Sequence, residues 1–243
     1  MYYVCKPSKI QIYVNTGRKT MAQIKKELGC DIIINGGIYN MSTFQPYCWL
    51  KVNGQLLAHD QYGYYGYGWN DAKLTMDTTA NIARYSNFIA CVEIVNGGKL
   101  TSPIIYDTAM GGRRGRSAIG VRQDGQVVVW CTQDGAYALT PEQLQVEMKN
   151  LGCMSALMLD GGGSSQCVMP NGTVTSSRIV QNFLCIWIAK ENTTPPQNTQ
   201  IPAQTPTPTP TCADGTKTEC KYRLPCHYCL KKYQMCPLMG EKT

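Results

Sequence analysis

The run Asp160-Gly161-Gly162-Gly163-Ser164-Ser165 follows a continuous apolar stretch and carries the strongest chemical signal in the chain. Three successive glycines lose much conformational entropy on folding and contribute no packing. They make sense where backbone N–H groups must come close to a ligand such as a phosphate. Asp160 at a strand end can act as an acid, a base or an anchor for sugar hydroxyls, and Ser164 and Ser165 add donors. The alternative is a plain turn with Asp160 as its cap.

Two further segments belong beside it. Asn35-Gly36-Gly37-Ile38-Tyr39-Asn40 repeats the theme of a polar residue followed by bare backbone, although Asn-Gly also marks simple turns. Arg113-Arg114-Gly115-Arg116-Ser117 offers guanidinium groups, which clamp phosphates bidentately and stabilise charge on a phosphate leaving group. Charge runs are usually solvated loops. This one stands directly before an expected strand, which favours function for one or two of its arginines.

The elements that must position these residues are also legible. Thr20 and Gln23, and again Thr140 and Gln143, have the spacing of a capping box, and Pro141 suits a first helical turn. Gly29 and Gly152 stand where helices end in the left-handed conformation. Each expected helix leads into a short apolar run, one ending at Asn35 and the other at Asp160. If those two strands are neighbours in one sheet, their ends share a pocket. Further strands are expected at Ile10–Val14, Trp49–Val52, Ile89–Val95, Ser117–Val121, Val127–Thr132 and Phe183–Ala189. Asn53-Gly54 and Asp124-Gly125 read as hairpin turns. The sum is an α+β fold: a mostly antiparallel central sheet with a few packed helices.

Three organisational units are expected: a main domain over 1–190, a Pro/Thr-rich linker over 191–211, and a Cys-rich tail over 212–243. The chain has thirteen cysteines, eight of them in the main domain, where reduced core thiols are the favoured reading. In the tail, Cys226 and Cys229 form a single C-x-x-C knuckle that could hold a structural zinc with other tail cysteines; a disulfide knot is the next reading. The tail is expected to attach the protein to another surface. No cofactor is expected in the main domain.

The N-terminus lacks the pattern of a secretory signal, so cytoplasmic synthesis is expected, with release or virion association later. No apolar run reaches the roughly 18 residues of a membrane span. The net charge of +7 suits an anionic substrate, but it is diffuse and no nucleic-acid motif accompanies it. The stretch from Asp60 to Asn70 alternates aromatics with glycines. A sugar-stacking loop and a Tyr-rich hairpin packed on the sheet are both open.

Taken in order, INGGIYN, GRSAIGVRQDGQ, the helix TPEQLQVEMKNLG, MLDGGGSS and the Arg178-to-Asn182 segment resemble the phosphodiester glycosidase family, to which N-acetylglucosamine-1-phosphodiester alpha-N-acetylglucosaminidase belongs. The resemblance spans nearly the whole main domain and none of the tail. It implies a hydrolase that removes a sugar from a sugar-1-phosphodiester, with an anionic phosphorylated glycan as substrate. Residue by residue, it implicates Asp160, Arg116 and Asn35 in catalysis. Gly36, Gly37, Ser117, Gly161, Gly162, Gly163, Ser164, Ser165, Arg178 and Asn182 would bind substrate. Departures from the family pattern are Ile38-Tyr39 in place of two aromatics, and short N-terminal strands.

Glycosidases commonly use two carboxylates. Asp160 is one; Asp31, Asp60, Glu93, Asp107 and Asp134 remain open for the second. A non-catalytic carbohydrate-binding module and a sugar-transferring enzyme are the alternatives to hydrolysis.

Overall fold

The computed structural model describes residues 1–59, 64–135 and 137–190. The linker, the tail with Cys226 and Cys229, and Asp60 lie outside the described residues. In chain order the elements are β1 (Tyr2–Cys5), β2 (Pro7–Val14), α1 (Met21–Leu28), β3 (Ile32–Asn35), β4 (Leu50–Val52), β5 (Gln55–Ala58), β6 (Tyr65–Trp69), β7 (Thr75–Thr78), β8 (Asn87–Asn96) and β9 (Lys99–Leu100). The second half contributes β10 (Arg116–Arg122), β11 (Val127–Thr132), α2 (Pro141–Asn150), β12 (Cys153–Met158), β13 (Cys167–Met169), β14 (Gly172–Val174) and β15 (Asn182–Ile188).

Both helices form for the reasons their sequences give. Thr20 and Thr140 accept the backbone N–H of Gln23 and Gln143, and each glutamine side chain returns to the cap N–H. Gly29 closes α1 at φ 63°, and Gly152 follows α2 at φ 82°. The turn between β4 and β5 places Asn53 and Gly54 at φ 49° and 84°, the left-handed pair that suits a two-residue hairpin.

The strands form two sheets. The larger runs β1-β11-β10-β12-β8-β4-β5, with β6 and β9 also on β8 and β7 on β6; the smaller runs β14-β13-β3-β15-β2. Every described ladder is antiparallel. The fold is α+β, with its antiparallel strands divided between two stacked sheets.

Strand periodicity sorts the apolar residues into layers. Ile12, Ile32, Ile34 and Leu184 of the smaller sheet meet Ile119, Val129, Leu157 and Leu159 of the larger in one core. The alternate residues turn outward. Ile33, Phe183 and Cys185 pack under Met21 and Ile24 of α1. Ala118, Val128 and Met158 pack under Leu144 and Met148 of α2. The central strands are therefore covered on both faces, which is why they read as unbroken apolar runs. All eight described cysteines are buried in this architecture. No helix among the described residues is long and apolar enough to cross a membrane.

The aromatic–glycine segment, where described, is β6 packed on the sheet. Tyr67 and Trp69 are buried in the inter-sheet core. On the alternate positions of the strand, a Cβ on Gly66 would lie 2.4 Å from the Phe88 ring, and one on Gly68 would lie 2.4 Å from Tyr85. The glycines admit these rings on the outer face, so the alternation serves packing there.

Candidate active site

The strands β3 and β12, whose ends would share a pocket if they were neighbours in one sheet, are not such neighbours. They belong to opposite sheets, and the inter-sheet core lies between them. Their ends nevertheless converge. The Asp160 N–H donates to the Gly36 carbonyl at 3.1 Å, and Asn35 Nδ2 donates to the Asp160 carbonyl at 2.8 Å. The shared pocket forms across the stack because a strand end can make backbone bonds to the facing sheet once its own ladder has stopped.

Asn35 is the knot of this junction. It is fully buried. Its Oδ1 accepts the Ser117 hydroxyl at 2.6 Å and the Gln166 N–H at 3.1 Å. One amide thus ties β3, β10 and the loop after β12. With its polar groups bonded inside the protein, Asn35 ties the junction together and presents none of them to the cavity. Ser117 is buried with it.

Asn182 performs a similar task one step away. Its Oδ1 accepts the Gly37 N–H at 2.9 Å. A Cβ on Gly36 would stand 1.8 Å from that same oxygen. Gly36 is thus required by the close approach of Asn182, and both position the loop.

The glycine run is also largely committed. The Gly161 N–H donates to the Asp160 carboxylate, Gly162 to the Gly115 carbonyl, Ser164 to Gly161 and Ser165 to Gly162. That leaves Gly163 with the amide available to an anion. Close packing explains the rest of the run: a Cβ on Gly161 would lie 2.9 Å from the Gly115 carbonyl, and Gly162 has φ 59°. Ser165 Oγ is buried with no hydrogen-bond partner.

A cavity of about 340 Å³ opens above this junction. Asp160 and Gly161 to Gly163 form one wall, and Arg114, Arg116, Arg178 and Asp134 approach it with Tyr39, Met41, Ala109 and Met110. Burial pushes the Asp160 carboxyl up to about 6, against the opposing pull of Ser164, the Gly161 N–H and the Arg178 charge. Arg178 Nη1 donates to Ser164 Oγ at 3.2 Å. Tyr39 donates its phenol to the Ile179 carbonyl at 3.0 Å, and burial and the nearby Asp160 carboxylate raise its pKa. Tyr39 lay within the INGGIYN segment, but nothing in local spacing marked it as facing Asp160.

The arginines divide into distinct roles. Arg116 is buried, with Nε on the Leu139 carbonyl, Nη1 on Met110 and Nη2 on Gly112, at 2.8, 2.8 and 2.6 Å. It holds the loop over the cavity and lends positive charge there without a carboxylate bonded to it. A free bidentate clamp on phosphate, as expected from sequence, is not available to it in this arrangement. Arg178 is exposed and keeps most of its donors. Arg114 uses Nε on the Gly111 carbonyl, and Arg113 reaches Gln143 of α2.

Among the described candidates for the second carboxylate, Asp134 is the one that shares the cavity with Asp160. Its Oδ1 accepts the Gly115 N–H. Asp31 accepts the Ile188 N–H at the opposite end of β3, Glu93 accepts from Asn96 and Thr101, and Asp107 lines an adjoining groove. Among the described residues, no three His, Cys, Asp or Glu side chains gather as metal ligands.

The sequence profile of the phosphodiester glycosidases matches residues 28–187. This chain belongs to the phosphodiester glycosidase family. The fold is similar to the catalytic domain of zebrafish N-acetylglucosamine-1-phosphodiester alpha-N-acetylglucosaminidase, solved as auto-inhibited by its pro-peptide. The TM-score is 0.62 at 17% identity, covering 74% of this chain and 73% of that one. It is also similar to a hypothetical protein from Synechocystis, with TM-score 0.63 at 11% identity over 77% of this chain and 59% of the other. A third similar structure, named as an exported protein of Burkholderia pseudomallei K96243, gives a TM-score of 0.56 at 13% identity over 76% and 73%. No curated protein sequence matches the chain. At these identities the structural matches speak for the fold, and family membership makes this a glycosidase-type domain. The matched segment contains Asn35, Arg116, Asp134, Asp160, Arg178 and Asn182.

Proposed function

We propose that this phosphodiester glycosidase domain hydrolyses the bond between a sugar's anomeric carbon and a phosphodiester oxygen. The observation that carries the reading is the half-buried Asp160 carboxyl, raised to about 6, beside the exposed Arg178 guanidinium in one cavity. A group titrating near the working pH is suited to proton transfer. Arg178, Arg114 and the Gly163 amide would hold the phosphate oxygens, and the Arg116 charge would add to the field that favours an anion.

In this reading Asp160 serves as acid–base group at the anomeric centre or as the anchor of the adjacent hydroxyl. Asp134 supplies the second carboxylate that glycoside cleavage ordinarily employs. A phosphate leaves more readily than an alcohol, so the demand on acid catalysis is modest, and stabilisation of the departing negative charge matters more. The substrate would be an anionic phosphorylated glycan or sugar-phosphodiester. The reaction as drawn uses no cofactor.

The test is turnover of a panel of sugar-1-phosphodiesters, including UDP-N-acetylglucosamine and methyl-phosphate glycosides, with products followed by NMR. Free sugar should appear with the wild type and not with Asp160→Asn. Undiminished release by Asp160→Asn would remove the central assignment. Silence across the panel with saturable binding to a phosphorylated glycan would point to a binding module.

A further inference from the structure

The active-site cavity does not end at its apolar rim. A second groove of about 400 Å³ continues from it, and the two share Tyr39, Met41, Ala109 and Met110 as a common wall. Beyond that wall the groove is lined by Ile38, Tyr47 and the polar edge of Asn40, Ser42 and Asp107. Met41 is 66% exposed and Tyr47 38% exposed, so a half-wet apolar surface runs out from the catalytic centre.

The two compartments differ in chemistry. All three arginines of the site line the first cavity and none lines the groove. The one charged residue of the groove is Asp107, whose carboxylate accepts the Ala109 N–H at 2.7 Å. A phosphate meets no arginine or lysine among the described residues of the groove and is drawn to Arg178 and Arg114. A sugar ring finds Asp160, Asp134 and the Gly163 amide in the first cavity, whereas in the groove Asn40 Oδ1 already accepts the Ser42 and Thr43 N–H groups and Asp107 Oδ1 the Ala109 N–H. What the groove can accept is the part of the substrate on the far side of the phosphate.

We propose that this groove is the aglycone subsite and that it selects substrates whose phosphate carries an apolar alkyl or aryl group. The inference rests on the hydrolase reading above. Methionine side chains adapt to irregular apolar shapes, and the half-exposed Tyr47 adds ring surface to the lining. Each methylene buried in the groove should strengthen binding by about fourfold, so three of them give about fiftyfold.

The test compares octyl phosphate with methyl phosphate, the products on the aglycone side, by titration calorimetry on the full chain. The wild type should bind octyl phosphate at least ~10-fold more tightly. Ser42→Glu, which adds a carboxylate to the groove's exposed edge, and Tyr47→Ser should each shrink that ratio. Equal binding of the two phosphates by the wild type would overturn the proposal, as would a ratio untouched by both substitutions. In parallel, kcat/KM is measured for the octyl, methyl and mannosyl esters of N-acetylglucosamine-1-phosphate. Preference for the octyl ester supports the subsite, and preference for the mannosyl ester overturns it in favour of a glycan aglycone. An octyl-over-methyl binding ratio without turnover of any ester would leave the subsite standing and remove the hydrolase reading.

Discussion

A carboxyl partly withdrawn from water costs stability whenever it is ionised, and the half-buried Asp160 is in that position. Its folded pKa, about 6, lies above the ordinary carboxylate value. The folded state therefore holds the proton more tightly, and stability contributed by that proton is lost as pH rises from about 4 through 6. Above that window the ionised form carries a penalty of about 2–3 kcal/mol. Asp160→Asn removes the titration. The variant should be no more stable than wild type at pH 4 and more stable by about that amount at pH 8, in urea unfolding at both pH values. A constant difference across the range would show that burial does not govern this group. The same residue illustrates what was legible in sequence. Asp160 and Arg178 stood out by type and context, and the structure brings both to the cavity. Asn35 and Arg116 stood out equally, yet their polar atoms are turned inward. Sequence marks a residue as special without saying whether it faces ligand or protein, since a buried amide or guanidinium is as constrained as a catalytic one.

At the scale of elements, local rules sufficed wherever a feature closes within a few residues. Both capping boxes, the left-handed Gly29 and the Asn53-Gly54 hairpin follow from side chains three residues apart or less. The glycine segments were harder, because their partners are distant in the chain. Gly36 is a case with a clear expectation. Its missing side chain makes room for Asn182, more than a hundred residues later, whose oxygen would sit 1.8 Å from an added Cβ. Asn182 is itself buried and bonded to the Gly37 N–H and to Gln181, so it has no free direction of retreat. Gly36→Ala should cost about 2–3 kcal/mol or more, seen as a lower urea midpoint, because the clash either breaks those bonds or displaces β3. Gly29→Ala serves as the contrast. No atom lies within 4 Å of its added Cβ, and only the left-handed backbone opposes it, so a loss near 1 kcal/mol is expected. Equal losses at the two sites would mean that the Asn182 contact is not the constraint.

For the whole molecule, the decisive fact is that the site straddles two sheets. Asp160 follows a strand of the larger sheet and Gly36 follows a strand of the smaller, so their hydrogen bond spans the stack. This was not legible in the chain, because two apolar strands buried on both faces carry no mark of which sheet each joins. It does give a prediction that separates activity from stability. Ile34 faces the core between the sheets, whereas its neighbour Ile33 faces α1, and both are fully buried. Truncating either to alanine removes the same atoms and should lower stability by about 2–5 kcal/mol. Their effects on catalysis should differ. A void at Ile34 relaxes the inter-sheet spacing that sets Asp160 against the Gly36 loop, while a void at Ile33 loosens the seat of α1. The measurement is kcat per folded molecule, at a temperature where far-UV circular dichroism shows both variants fully folded. Ile34→Ala should lose roughly tenfold or more, since small misplacements at a reacting centre are costly, and Ile33→Ala should stay close to wild type. If the two variants lose turnover equally, the sheet-to-sheet spacing is not what aligns the site.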